Sequence, residues 1–177
     1  MSRVAIRYSK ALFELALEQN LIEDVRQDLM LIREVCQNNP DFQQTLNNPL
    51  IEENVRLKIF EELFKTRINP MTYTFLQLLS RKRRSSFLLE MIDDYLQRVL
   101  EHQGILSCLL ITPTAVETNQ IEIIKERIEK LTQKSVICNS QIDDTVIGGF
   151  IIKIKDMVID LSIKTLLEKL RTQLIHG

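Results

Sequence analysis

Apolar residues recur every three or four positions through most of the first hundred residues, which is the spacing of one buried face on an α-helix. The stripe Ile22, Val25, Leu29, Ile32 and Cys36 shows this spacing most clearly. It ends at residues 38–40, Asn-Asn-Pro, because a residue before proline avoids the α region. The pattern and its breaks predict a bundle of six helices with short links, at residues 2–20, 21–37, 41–46, 51–65, 71–80 and 85–102. Ser2 is the candidate N-cap of the first helix.

The period changes after Gly104, where β-branched and leucine-rich runs indicate strands. We expect strands at 105–112, 135–142 and 146–154, and residues 157–160 either continue the last strand or pair with it. Helical spacing returns at 118–133 and at 161–175, and the apolar side of the final helix carries Ile163, Leu166, Leu167, Leu170 and Leu174. The predicted fold class is α+β, with an N-terminal six-helix bundle in residues 1–104. A small α/β domain with a short mixed sheet and two helices follows in residues 105–177.

Composition narrows the class of protein further. Hydrophobic content of 45% and charged content of 27% are typical of a folded globular chain, and the net charge of -1 lacks the basic excess of a nucleic-acid binder. We therefore expect no nucleic-acid partner. No apolar run reaches the roughly 18–20 residues of a membrane span, and acidic residues interrupt any signal-peptide pattern, so we expect a soluble chain without a direct span.

No residue pattern favours catalysis, a cofactor or a small-molecule substrate. Cys36, Cys108 and Cys138 are widely spaced, and neither His102 nor His176 lies in a ligand motif, so we interpret the cysteines as ordinary buried thiols and expect no metal. The pair 148–149, Gly-Gly, lacks the other residues of a phosphate loop and favours a tight bend at a strand start. Four carboxylates of the C-terminal part are assigned to turns, where they can accept hydrogen bonds from nearby backbone amides. They are Asp143, Asp144, Asp156 and Asp160.

The first helix is apolar on two sides. Ile6, Phe13 and Leu17 fall on one side at about 100° per residue. Val4, Tyr8, Ala11 and Leu15 fall roughly opposite. Two explanations stay open: the helix is buried in the middle of the bundle, or one face docks a helix from another protein.

The helix at 71–80 has a similar excess of apolar residues. Met71, Phe75 and Leu78 lie on one side, and Leu76 and Leu79 on another, so the two helices could wall one groove. A short helix buried between longer ones would give the same pattern. The basic connector 81–84, Arg-Lys-Arg-Arg, is typical of a solvated turn, although a salt bridge to an acidic partner is also open.

Several of these segments together resemble one known family. The run 5–13, Ala-Ile-Arg-Tyr-Ser-Lys-Ala-Leu-Phe, is similar to the opening helix of the ATP synthase delta subunit (oligomycin-sensitivity-conferring protein) family. The match runs in order over residues 3–174. Its further points are Asn48-Pro49, Phe75–Leu79, Arg83-Arg84, Tyr95, Ile142-Asp143, Val146–Phe150, Asp156, Val158, Asp160 and Ser162.

The resemblance implies a non-catalytic peripheral stalk subunit, which tethers the catalytic head to the membrane-anchored stator so that rotary torque is resisted. The N-terminal domain would bind the N-terminal helix of an alpha subunit between the first and fifth helices, and the C-terminal domain would bind the b subunits. Carried over by motif, the groove residues would be Tyr8, Ala11, Leu15, Thr74 and Leu78, and Val4 joins them by geometry.

The resemblance also implies a location in the cell, and one alternative function stays open. We expect a peripheral membrane protein on the cytoplasmic face of a bacterial inner membrane. A helical adaptor of another multi-protein machine would share the two-sided helices but not the C-terminal pattern.

Overall fold

The computed structural model describes residues 1–48, 50–154 and 157–176. Within them the chain is α+β, with eight α-helices and one four-stranded mixed sheet. It divides into two compact units, Met1–Val99 (unit 1) and Leu100–Gly177 (unit 2). Two positions of the sequence motifs, Pro49 and Asp156, lie outside the described residues, as do the side chains of Leu170 and Leu174.

Six α-helices precede the first strand. They are α1 Arg3–Glu18, α2 Ile22–Asn38, α3 Pro40–Asn47, α4 Glu53–Phe64, α5 Pro70–Arg81 and α6 Leu88–His102. A 3₁₀ turn, Ser85–Phe87, precedes α6, so the predicted helix 85–102 begins with a tighter turn. The sequence prediction placed two helix starts one residue too late, because Pro40 and Pro70 lie in the first helical turn, where a missing N–H costs no hydrogen bond.

The core of unit 1 forms from one buried stripe on each helix. On α1 the stripe is Ala5, Ser9, Leu12 and Ala16, spaced four, three and four residues apart. The Ser2 side chain caps this helix by accepting a 3.1 Å hydrogen bond from the Ala5 amide, as the sequence predicts. The predicted stripe of α2 is also confirmed, since Val25, Leu29, Ile32 and Cys36 are buried.

Aromatic rings and one phenol link the helices of unit 1. Phe13 of α1 packs edge-on against Tyr95 of α6, with ring centroids 5.7 Å apart. The Tyr95 hydroxyl donates a 3.2 Å hydrogen bond to the Ile22 carbonyl at the start of α2. Tyr95 is fully buried, and this bond satisfies its one polar group.

Unit 2 contains the sheet and two helices. Its strands are β1 Ile105–Thr112, β2 Ser135–Ile142, β3 Ile151–Ile154 and β4 Met157–Asp160, in the order β2-β1-β3-β4. β1 and β2 are parallel, and α7 (Thr118–Thr132) makes the long connection that parallel strands need. The β1–β3 and β3–β4 pairs are antiparallel, and α8 (Ile163–His176) follows.

The structure corrects two predicted boundaries in unit 2. The strand expected at 146–154 begins only at Ile151, because Gly148 and Gly149 have φ of 62° and 72° and bend the chain. This bend agrees with the interpretation of the glycine pair from sequence. Residues 157–160 form a separate strand that pairs with β3. The final helix begins at Ile163 and not at Leu161, whose amide instead donates to the Phe150 carbonyl.

Candidate functional site

A groove of about 590 Å³ lies between α1 and α5 in unit 1. We call it the α1–α5 groove. From α1 and the residue after it, the lining residues are Arg7, Tyr8, Ala11, Leu12, Leu15 and Gln19. From α5 and the residue before it, they are Asn69, Pro70, Met71, Thr74, Phe75 and Leu78.

On α1 the buried stripe, Ala5 to Ala16, lies between the two apolar sides of the helix. Each apolar side therefore stays partly exposed, and one of them forms a wall of the groove. Tyr8 and Ala11 lie beside that stripe, and Leu15 remains 42% exposed although it is a large apolar residue. On the other side Ile6 and Leu17 are also about two-fifths exposed. The helix is therefore not enclosed in the middle of unit 1, and of the two explanations left open by the sequence the structure excludes the first.

The wall on α5 has the same origin. Thr72, Leu76 and Leu79 are fully buried, whereas Leu78 is 41% exposed toward the groove. The Thr74 hydroxyl donates a 2.8 Å hydrogen bond to the Pro70 carbonyl of the previous turn. Its donor is thus satisfied within the helix, and this wall offers mainly apolar surface.

Two half-buried carboxylates on neighbouring helices fix the positions of the groove walls. Asp28 of α2 accepts hydrogen bonds from the Asn69 amide at 2.8 Å and from the Thr72 hydroxyl at 2.7 Å, which fixes the start of α5. Asp94 of α6 accepts a short hydrogen bond from the Ser9 hydroxyl of α1 and pairs with Arg98 at 2.6 Å. Both walls therefore rest on polar contacts to neighbouring helices.

The groove has little charge of its own. Arg7 is the one charged residue among those that line it, and its guanidinium carbon lies 5.6 Å from the centre of the Tyr8 ring. A cation over an aromatic face is an attractive arrangement. The surface therefore suits an apolar helix face that carries an acidic residue near Arg7.

The structure brings five of the six sequence-predicted residues to one surface, namely Tyr8, Ala11, Leu15, Thr74 and Leu78. Val4 is the exception: it does not line the groove, although it is half-buried against the core like Tyr8. The predicted set omitted Met71 and Phe75, although the sequence pattern had placed both on the same side of the helix as Leu78. It also omitted polar residues such as Arg7, Gln19 and Asn69, because a polar residue at the rim of a groove looks like any exposed position.

Among the described residues of unit 2, a groove of about 500 Å³ has a more polar lining than the α1–α5 groove, and the last elements of the unit expose many large apolar side chains. Met157 and Val158 of β4 are both more than half exposed, and Leu167 of α8 is 60% exposed. Single exposed apolar residues need no explanation, but many large apolar side chains exposed within one short segment are unusual and are a candidate for an interaction surface. The series comprises Met157, Val158, Ile159, Leu161, Ile163, Leu166 and Leu167, and we call it the β4–α8 surface.

Asp143 and Asp160 accept hydrogen bonds in turns, and Cys36 and Cys108 are buried thiols. Asp143 accepts hydrogen bonds from the Thr145 amide and hydroxyl, and these bonds hold its pKa below the usual range. Asp160 accepts from the Ser162 amide, in the turn before α8. Burial raises the pKa of the Cys36 thiol to about 11 and, with a contact to Cys138, that of Cys108 to about 12. Raised thiol pKa values disfavour the reactive thiolate.

No helix among the described residues is long and apolar enough to cross a membrane.

Comparison with known proteins gives matches over nearly the whole chain. The family model described as ATP synthase delta (OSCP) subunit matches residues 4–174. The ATP synthase subunit delta of Carboxydothermus hydrogenoformans is 32% identical over 174 residues, covering 98% of this chain and 97% of the relative. The protein of the same name from Chlorobaculum tepidum is 31% identical over 169 residues, covering 96% and 93%.

Solved structures show the same fold at lower identity. A chain of the Toxoplasma gondii mitochondrial ATP synthase hexamer is 19% identical, with a TM-score of 0.80 and 98% coverage of both chains. A chain of the Polytomella F-ATP synthase has a TM-score of 0.53 and covers 58% of this chain and 91% of its own length.

Proposed function

Since the chain belongs to the ATP synthase delta (OSCP) subunit family, we propose that it holds two partners of an F-type ATP synthase, one on each unit. The chain is a non-catalytic subunit of the peripheral stalk of that complex, and it is peripheral to the membrane as part of it. In unit 1, α1–α6 act as one six-helix bundle, whose partner is the N-terminal helix of an alpha subunit. In unit 2, the partners are the b subunits.

The α1–α5 groove is the observation that carries the first assignment. Its lining on the α1 side runs from Arg7 to Gln19, twelve residue steps or about 18 Å of helix axis, which matches about three turns of a partner helix. An amphipathic helix in such a groove buries the exposed parts of Leu15 and Leu78. The single charge at the rim, Arg7, favours a partner with an acidic residue at the matching position.

The β4–α8 surface supports the second assignment. A strand and a helix that follow each other and keep large apolar side chains half exposed are typical of a surface that another chain covers. We propose that the b subunits bind there. The two interfaces together would then transmit force from the catalytic head to the fixed part of the enzyme, on the cytoplasmic face of a bacterial inner membrane.

Transmission of force requires interfaces between the subunits that are stable without covalent bonds. An interface that resists torque depends on a few well-packed apolar anchors at its centre and on exclusion of water around them. Leu78 lies in the α5 wall opposite Leu15 of α1, and we assign it as a central anchor of the alpha-subunit interface.

The test is a calorimetric titration of the full chain with a synthetic peptide of the alpha-subunit N-terminal residues. We expect saturable one-to-one binding. Leu78→Ala should weaken it by about 2–4 kcal/mol because a central apolar anchor is removed. Ala11→Asp should abolish it because a larger and charged side chain would lose its hydration between the two helices.

Matched controls come from the same unit. Leu50→Ala changes a leucine that is 87% exposed and does not line the α1–α5 groove, and Leu17→Asp introduces a charge on the other side of α1. Both should bind the peptide like the unchanged protein. Equal affinity of Leu78→Ala and Leu50→Ala for the peptide would refute the groove assignment.

A further inference from the structure

Arg56 of α4 is a buried cation with an unsatisfied donor. Its side chain shares the buried face of α4 with Phe60 and Phe64, and the residue is only 5% exposed. One terminal nitrogen donates a 3.0 Å hydrogen bond to the Asn48 carbonyl, whereas Nε has no partner among the described residues. Burial lowers the pKa of this guanidinium. A buried charge normally requires an opposite charge and a full set of hydrogen bonds.

A second unsatisfied donor lines the same cavity. The Ser85 hydroxyl, in the 3₁₀ turn before α6, belongs to a residue that is 2% exposed and has no partner among the described residues. Arg56, Arg83, Ser85 and Ser86 all line one cavity of about 250 Å³. Both residues with an unsatisfied donor, and a second guanidinium, therefore border a single small space.

The start of α4 borders this cavity as well. Glu52 stands at the N-cap position of α4, and no side-chain hydrogen bond caps that end of the helix. The first-turn amides of a helix carry the positive end of its dipole and favour an anion. Glu52 and Glu53 also line the cavity, and both are exposed, so their charges would weaken but not block binding of an anion.

We propose that this cavity binds a tetrahedral oxyanion, with phosphate as the natural candidate. The Arg56 guanidinium and the Ser85 hydroxyl would donate to its oxygens, and Arg83 would add charge. An apolar ligand would leave these donors unpaired, and a cation would be repelled by Arg56. A volume of about 250 Å³ has room for one phosphate group. The source is either free phosphate or a phosphate monoester whose remaining part extends into solvent.

The cavity and the α1–α5 groove share no lining residue, so this proposal does not depend on the proposed function. The experiment follows backbone amide resonances of the full ¹⁵N-labelled chain during titration with sodium phosphate, with sodium chloride adjusted to keep ionic strength constant. We expect saturable shifts at residues 53–56 and 85–87. Arg56→Met should weaken binding at least tenfold, because it removes the charge and the donors while it keeps an unbranched stem.

Two milder variants keep the proposal testable if Arg56→Met does not fold. Ser85→Ala should weaken phosphate binding, and Glu53→Gln should strengthen it, because a like charge is removed from the cavity. Arg67→Met is the matched control, since it makes the same charge change at an exposed position that does not line the cavity. It should bind phosphate like the unchanged protein.

One further probe, sn-glycerol 1-phosphate, identifies the source of the oxyanion. Saturation by phosphate and by sn-glycerol 1-phosphate alike would indicate an esterified phosphate such as a lipid headgroup, and saturation by phosphate alone would indicate the free ion. The proposal is overturned if none of these amides shifts, or if Arg56→Met and Arg67→Met bind phosphate equally. Binding of the alpha-subunit peptide by Arg56→Met should be unchanged, which separates failure of this site from failure of the groove.

Discussion

At the scale of single residues, the polar groups inside unit 1 act as fixed points between helices. Ser9 and Thr72 are fully buried, and each donates to a carboxylate on a different helix, Asp94 and Asp28 respectively. Such bonds contribute modestly to net stability, but an unpaired buried donor is costly. They therefore specify where α1 and α5 lie more than they add to the free energy of folding.

Asp28→Ala should lower the free energy of unfolding by about 2–3 kcal/mol, because the Thr72 hydroxyl and the Asn69 amide lose their shared acceptor. Asp28→Asn should cost less, since the amide oxygen can still accept. Urea unfolding followed by circular dichroism measures both. Asp93→Ala is the control, because the Arg33–Asp93 pair is exposed and such pairs are worth at most about 1 kcal/mol. Equal losses for Asp28→Ala and Asp93→Ala would contradict this explanation.

At the scale of elements, α1 and α5 each bury one stripe and leave a neighbouring apolar stripe partly exposed. The exposed stripes face each other across the groove, so two ordinary amphipathic helices produce a binding surface without any special motif. The same principle applies in unit 2, where α7 covers the sheet with Ile121, Ile124 and Ile128. β4 and α8 keep their apolar residues half exposed, and this difference between elements is what indicates an interface there.

The two glycines of the bend before β3, together with Gly104, differ in how much space they leave for a Cβ atom, and substitution by alanine at each tests this difference. A Cβ added at Gly149 would fall against the Leu161 carbonyl, one at Gly148 would lie 2.5 Å from the flexible end of Ile163, and one at Gly104 would meet nothing. All three glycines have positive φ. We expect Gly104→Ala to cost about 1 kcal/mol of unfolding free energy, and Gly149→Ala about 3 kcal/mol, because backbone overlap adds to the strain.

Gly148→Ala should fall between these two, since the Ile163 side chain can move aside. Thermal unfolding of the three variants under one condition gives the order. A Gly149→Ala protein as stable as Gly104→Ala would show that residues 148–149 and 161–162 do not approach as closely as described.

At the scale of the whole molecule, the two units have separate cores and, in our proposal, separate partners. One core collects the stripes of α1–α6, and the other lies between α7 and the sheet. The division by contacts falls between Val99 and Leu100, inside α6, whereas the change of sequence pattern is at Gly104. A fragment that is meant to fold and bind should therefore extend beyond the end of α6 at His102.

A fragment of residues 1–104 should fold and bind the alpha-subunit peptide with the affinity of the full chain, because every residue that lines the α1–α5 groove is within it. Far-ultraviolet circular dichroism and the same calorimetric titration test this expectation. A fragment of residues 1–99 should be less stable, since it removes the last turn of α6 beside the buried Val99. A tenfold or larger loss of affinity in the longer fragment would mean that unit 2 takes part in the groove.

The amino-acid sequence by itself determined the elements and the family. Helix periodicity, the Ser2 cap, the prolines and the glycine pair act within a few residues of one another, so they can be identified along the chain. The same local information showed that α1 and the helix at 71–80 are apolar on two sides. That pattern left a groove between them as one of two explanations, and the resemblance to the family supplied the five residues that the structure places along it.

Only the tertiary structure decided which apolar side is covered, because burial depends on neighbours that are distant in sequence. Val4 and Tyr8 lie on the same side of α1 and both pack against the core, but only Tyr8 also lines the groove. The tertiary structure paired residues 157–160 with β3, a choice that the sequence left open. It also buried Arg56, which looks like any exposed cation on a helix, because α4 packs its Arg56 face inward with Phe60 and Phe64. Burial and strand pairing depend on contacts between residues that are distant in sequence, and the local periodic pattern does not specify those contacts.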